Sequence, residues 1–137
     1  MPGRRANRPL RLLSAMAVLT ALALSCAEPD SVEQFVLNRD GTYSFSVDMS
    51  RTDCAYDLSF YSRVDSWRKV SEFPIDVEWT SPSGRRYSER VYFVRESHDV
   101  VPYRTGVIPE ENGVWTLDAK ADVKGLRGLG LICRRVY

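Results

Sequence analysis

Three cysteines, one histidine and a consecutive pair of glutamates are the side chains in this 137-residue chain best suited to chemistry. His98 stands beside Asp99 in a polar stretch. A nucleophilic triad needs a histidine held between an acid and one hydroxyl, and no single serine here is marked out for that role. His98 therefore reads as a solvated loop residue. Glu110 and Glu111 could act on a glycosidic bond only from opposite walls of a cleft, and neighbours in a Pro- and Gly-bearing stretch read as a solvated turn. No CxxC or HExxH spacing offers a metal its ligands. The glycines of "GLRGLGL" open no helix and so make no phosphate-binding loop. The expectation is a protein that is not an enzyme, with no catalytic residues, no metal and no cofactor.

The cysteines are more informative. Cys26 ends an apolar run, "LLSAMAVLTALALS", that follows the basic stretch "MPGRRANRPLR". Such a pair of regions is the signature of an export signal. As a helix the 14-residue run rises only ~21 Å, short of the ~30 Å hydrocarbon core of a bilayer. It is apolar all round, which also disqualifies it as an amphipathic core helix. Small Ser25 directly precedes the cysteine, and "ALSC" resembles a bacterial lipobox, with Ala23 where leucine is usual. Residues 1–25 are thus expected to be a cleaved lipoprotein signal peptide, with Cys26 as the acylated first residue of the mature chain. Each buried methylene contributes about 0.8 kcal/mol, so two or three acyl chains hold firmly where one does not. The next residues, "AEPDSVEQ", are polar and without periodicity, so 26–34 reads as the lipidated terminus and a linker. The implied partner is a membrane, reached through the lipid.

Charge excludes another class of partner. The chain has 19 basic and 18 acidic residues, and Arg4, Arg5, Arg8 and Arg11 leave with the leader. The remaining 15 against 18 give a net of −3, the wrong sign for a nucleic-acid surface.

Residues 35–137 must position whatever the mature domain uses, and their hydrophobic period is two. Tyr43, Phe45 and Val47 alternate with polar residues in "TYSFSVD". Cys54, Tyr56, Leu58 and Phe60 share one face of the next run, and Ile75, Val77 and Trp79 one face of another. "YSERVYFV" presents Val91 and Phe93 together. Later runs align Trp115, Leu117, Ala119 and Ala121, then Leu129, Leu131 and Cys133, with Gly130 marking a bulge or a close contact. "NRDG" reads as a hairpin turn and "TSPSGRR" as a turn built on proline and glycine. Residues 96–113, with two prolines and two glycines, read as one long loop. About seven short strands predict an all-β domain, an antiparallel β-sandwich of Ig-like or jelly-roll-like type.

Two expectations stay open on the residues alone. Cys54 and Cys133 both fall on inward faces, and they read equally as a disulfide or as two buried thiols. Tyr61, Trp67, Tyr92 and Tyr103 have no clear place in the core. They read either as packing under the long loop or as an interaction surface, centred on Tyr61, Trp67 and Tyr103, able to stack on sugars or bind peptide.

The stretch "YSFSVDMSRTDCAYDLSFYSR" resembles the H-type gliding-motility-associated lipoproteins of Bacteroidetes, with Tyr43, Phe45, Val47, Tyr56, Asp57, Leu58 and Arg63 at the matching positions. "WTSPSGRRY" is similar to that family's T-x-P-D-G hairpin, with Ser83 in place of the aspartate. The closing "NGVWTLDAKADVKGLRGLGLICRRV" is similar to its last two strands. The resemblance covers about two-thirds of the mature chain and leaves out residues 94–110. It implies a non-catalytic accessory or scaffold lipoprotein of the cell envelope, on the outer membrane, working with other envelope proteins of the gliding or type IX secretion machinery. The alternative is a surface lipoprotein that captures glycan or peptide ligands.

Overall fold

The computed structural model describes residues 30–65, 71–94 and 99–137. They form eight strands: β1 (Ser31–Leu37), β2 (Thr42–Met49), β3 (Ala55–Val64), β4 (Glu72–Thr80), β5 (Arg86–Val94), β6 (Val100–Val107), β7 (Gly113–Lys120) and β8 (Leu126–Val136). Two four-stranded antiparallel sheets result, ordered β1-β8-β3-β6 and β2-β7-β4-β5. Only the β4–β5 connection stays within a sheet. Every other connection between consecutive strands crosses from one sheet to the other. Eight strands wound in this order are a jelly roll, which decides between the two sandwich types that alternation alone left open.

The pattern of burial explains why these segments are strands. In β2 the exposure alternates without a break, with Tyr43, Phe45, Val47 and Met49 inward and Thr42, Ser44, Ser46 and Asp48 outward. Tyr56, Leu58 and Phe60 of β3 meet Phe73, Ile75, Val77 and Trp79 of β4 and Trp115, Leu117 and Ala119 of β7 in one core. A one-residue slip of any of these strands would turn its whole apolar set to water, so the core itself sets the register.

β8 departs from alternation, because Gly128, Leu129, Gly130 and Leu131 are all buried. The two glycines lie on the outer face, where the Phe35 and Tyr61 rings cover them. A Cβ on Gly130 would stand 2.0 Å from Tyr61 Cε1, and one on Gly128 2.2 Å from Phe35 Cζ. Gly130 is thus a close contact and not a bulge. The two rings stack on each other at 5.7 Å and 21°, with the Arg63 guanidinium 5.5 Å from the Phe35 centroid. Aromatic cover of this kind replaces the packing a glycine lacks.

Three expectations are corrected. Residues 96–113 are not one long loop, because β6 runs through them. Pro102 is tolerated there since β6 is an edge strand whose outer side needs no ladder donor. The linker is shorter than 26–34, and the domain starts before residue 35. β1 begins at Ser31, and Arg135 N–H donates to Asp30 O at 2.7 Å. An edge strand buries little on either face, which is why its alternation is faint. "NRDG" is a turn but no hairpin, since β1 pairs with β8 and β2 with β7. Asn38 Oδ1 accepts from Gly41 N–H at 2.9 Å, and Gly41 takes a positive φ of 79°, so the turn chemistry serves a crossing between sheets. "TSPSGRR" is the hairpin expected, closed by Ser81 N–H to Arg85 O and Gly84 N–H to Ser81 O.

Candidate functional site

The β6 strand is two residues too long for its partner. Tyr56 of β3 faces Val107 and Leu58 faces Arg104, so β6 uses three steps where β3 uses two. Ser59 then faces Pro102, so a single step of β3 is matched by two. The first irregularity contains Gly106 at φ 64°, whose N–H donates to Asp57 Oδ1 at 2.9 Å. Asp57 Oδ2 also accepts from Arg134 Nη2 at 2.9 Å. The Gly106 amide and the Arg134 guanidinium hold the Asp57 carboxyl below its ordinary value. The second irregularity leaves Tyr103 without a partner in the ladder. On a regular strand Tyr103 and Arg104 would point to opposite faces. Here both reach the carboxylate of Glu89 on β5, the re-aiming that a bulge produces.

Those contacts build an aromatic wall. The Tyr103 hydroxyl donates to Glu89 Oε1 and accepts from Trp79 Nε1 at 3.1 Å. Arg104 Nη2 donates to Glu89 Oε2 at 2.6 Å. Burial opposes ionisation of Glu89, but Arg104 and Tyr103 outweigh it and hold the carboxyl below its ordinary value. Burial, then the Glu89 charge, push the Tyr103 hydroxyl up. The Tyr103 ring lies nearly parallel to Trp79, at 10° and 6.5 Å. Trp115 meets Trp79 edge-on at 82° and 6.2 Å, and Tyr87 lies 6.2 Å from Trp115. Trp115 Nε1 donates to Glu111 O at 2.9 Å, and the Tyr87 hydroxyl donates to Glu110 Oε2 at 3.0 Å. Each of these four aromatic polar atoms is therefore engaged within the protein and the rings are fixed, with Tyr87 half-exposed at the rim and Trp79 and Trp115 nearly buried at the floor.

Together they line an open cleft of about 650 Å³ between the sheets. Met49, Leu58, Trp79 and Trp115 form its floor, and Tyr87, Tyr103, Arg104, Thr105, Val107, Ile108, Pro109 and Glu110 its walls and rim. Ile108 is 82% exposed at the mouth. The cleft lies at the end of the sandwich that carries the β2–β3, β4–β5 and β6–β7 connections. Register places the start of β1 at the same end, since Ser31 faces Arg134, and Ala55 faces Val136.

Of the surface expected around Tyr61, Trp67 and Tyr103, only Tyr103 belongs to this cleft. Tyr61 lies elsewhere, over Gly130 on the outer face of the other sheet, where the β8 glycines leave room for it. Burial and Glu33 push its hydroxyl up to about 12. Tyr92, 61% exposed on β5, is not among the lining residues. Trp67, His98 and Cys26 lie outside the described residues. Glu110 and Glu111 do not face one another across the cleft as an acid–base pair. Glu110 accepts from Tyr87, and Glu111 Oε2 from Ser83 Oγ at 2.8 Å.

Cys54 and Cys133 are free, half-buried thiols in this structure. Cys133 faces Leu58, four residues along β3 from Cys54, or ~13 Å at strand spacing. A disulfide spans about half that between Cα atoms. Burial pushes the Cys133 thiol up to about 11. Among the described residues, no group of three or more His, Cys, Asp or Glu could hold a metal ion.

Sequence reasoning missed Glu89, Tyr87, and the roles of Trp79 and Trp115. The tryptophans were legible as inward-facing, and they are, at 8% and 7% exposure. One signal was available: Trp79 and Tyr87 flank the "TSPSGRR" turn at paired positions, which puts two large rings side by side at one end of a hairpin. Set against known proteins, the chain matches no family model and no curated protein, so its function is argued from this cleft.

Proposed function

We propose that this chain is a lipid-anchored, non-catalytic lipoprotein of the cell envelope that works by binding a ligand in the cleft between its sheets. The observation that carries the reading is the bulged β6 edge, which brings Tyr103 and Arg104 onto Glu89 and opens an aromatic-floored recess beside Ile108. A stiff sandwich with a pre-formed concave site suits capture more than covalent chemistry. Acylation at Cys26 gives the domain its address. From Cys26 to Asp30 the chain extends at most ~14 Å, so the end bearing the cleft stays close to the bilayer surface. The ligand is then something presented at that surface.

A second reading, an accessory component of gliding or type IX secretion machinery at the outer membrane, is supported by the placement of the residues that resemble that family. Tyr43, Phe45, Val47, Tyr56 and Leu58 are core residues, and Asp57 pins the β6 bulge. Those positions support a shared framework, with the cleft as the surface offered to another envelope protein.

Two measurements test the proposal. Intact-mass analysis of membrane-extracted protein should show residues 1–25 removed and acyl chains on Cys26; an unmodified, freely soluble chain overturns the anchor. A photo-crosslinking amino acid at Ile108 should label a discrete species in cells, and one at Ser88, on the outer face of the second sheet, should not. Equal labelling from both positions overturns the cleft.

A further inference from the structure

Resting on the reading of the cleft as a ligand site, we infer that its ligand is a proline-rich segment of a partner protein in the polyproline II conformation, with a basic residue set against Glu110. Three observations favour this occupant. The first is the state of the polar atoms. Trp79 Nε1, Trp115 Nε1 and the Tyr103 and Tyr87 hydroxyls are engaged by Tyr103, the Glu111 carbonyl, Glu89 and Glu110 respectively. A sugar ring seated here would bury several hydroxyls against carbon, and each one left without a partner is costly. Prolyl rings present carbon on the docked face and have no backbone N–H to satisfy, and aromatic-lined grooves are where such segments dock.

The second observation closes β6 to strand addition, the other common mode of peptide capture. A peptide added as a strand needs a regular edge, and of the two edges that border the cleft β5 pairs regularly with β4 whereas β6 is irregular. That strand carries Pro102, two register breaks and a Gly106 at φ 64°. It offers no continuous ladder to an incoming strand.

The third is charge. Arg104, a cation of the rim, is held by Glu89 at 2.6 Å. Glu110 stands exposed at the mouth and, among the described residues, takes part in no ion pair; the Tyr87 hydroxyl steadies it. Among the described residues the rim therefore presents an unpaired carboxylate next to an apolar recess, which is complementary to a lysine or arginine flanking prolines. A polyproline II segment is stiff before it binds, so little ordering entropy opposes its capture by a site whose rings are already fixed.

The test uses the purified full chain and three probes: deca-proline, deca-proline bearing one terminal arginine, and a neutral β-glucan hexasaccharide. Binding is read from the indole N–H resonances and from titration calorimetry. Both peptides should bind saturably and shift the Trp79 and Trp115 indole signals, and the arginine-bearing peptide should bind about fivefold to tenfold more tightly. Glu110→Gln, whose amide oxygen can still accept from the Tyr87 hydroxyl, should bring the two peptides to within twofold of each other. Tyr87→Ala, on a half-exposed ring at the rim, should weaken both peptides by at least tenfold, with the fold checked by the upfield methyl signals of the core. Binding of the hexasaccharide without the peptides overturns the inference but keeps the cleft as a ligand site. No binding of any probe by a folded chain overturns the inference, and the Ile108 crosslinking result then decides the cleft separately. Tightening by arginine that survives Glu110→Gln overturns the assignment of the basic residue.

Discussion

Replacing Tyr103 by phenylalanine removes one oxygen from the centre of the site and leaves the ring. That oxygen accepts from Trp79 Nε1 at 3.1 Å and donates to the Glu89 carboxylate. Trp79 is only 8% exposed, so its indole N–H loses its partner in a largely dry place, at a cost of about 1–3 kcal/mol. Glu89 keeps Arg104, and its side chain is 30% exposed, so water replaces part of the second bond. The mouth of the cleft is open, which places the total near the lower end, about 2 kcal/mol at neutral pH. For a domain of this size that is a fall in Tm of roughly 8 °C. The pH dependence separates the two bonds. The folded-state pKa of Glu89 lies below its ordinary value, so its contribution is present above the unfolded carboxyl pKa of about 4.3 and is lost as pH falls through the folded value. The gap between wild type and Tyr103→Phe should therefore be widest at pH 6–7 and shrink at pH 3 towards the Trp79 bond alone. Urea unfolding at pH 7, 5, 4 and 3, followed by tryptophan emission, measures it. A gap below 0.5 kcal/mol at pH 7, or one that does not change with pH, refutes the hydrogen-bond account of this wall.

Gly130→Ala would place a methyl 2.0 Å from Tyr61 Cε1, lift the ring off β8 and cost about 1–3 kcal/mol in denaturant unfolding; adding Tyr61→Ala should remove most of the steric part, and additive losses would contradict this. Gln34 caps the free edge of β2, donating from Nε2 to Ser46 O at 2.5 Å and accepting from Ser46 N–H at 3.2 Å. Gln34→Ala should cost at most about 1 kcal/mol yet promote self-association, measured by light scattering, because the edge is uncovered. With a pKa pushed up to about 11, Cys133 should be about one part in a thousand thiolate at pH 8, so mass spectrometry should find it alkylated slowly in the folded protein and fast in denaturant. Asp57→Ala frees Gly106 N–H and Arg134 together; amide exchange should quicken at Gly106 and Val107 more than in β4, and protection unchanged there would count against Asp57 as the pin of the bulge.

Much of the sandwich was legible in the chain because burial and alternation are one constraint seen twice. Tyr43, Phe45 and Val47, or Ile75, Val77 and Trp79, can share a core only as strands, and all of them are buried. Local chemistry also marked the "TSPSGRR" turn, and offered a close approach at Gly130 as one of two readings. What alternation could not supply was which strand each segment pairs with. "NRDG" carries the same turn residues whether it closes a hairpin or crosses between sheets. Residues 100–107 have a proline and a glycine that mark a loop in isolation and an edge strand with two bulges in company.

The cleft belongs to the second kind of fact. Composition and spacing showed inward tryptophans at 79 and 115 and an unplaced Tyr103, and nothing in their order along the chain says they meet. They meet because the jelly-roll order lays β6 beside β5 across the sheets, and because two extra residues in β6 turn consecutive side chains, Tyr103 and Arg104, onto one carboxylate. A repeat of two along a strand is a local property of the backbone and can be read from neighbours. A bulge facing a glutamate fourteen residues away is set by register between strands, which only the packing of the whole core selects.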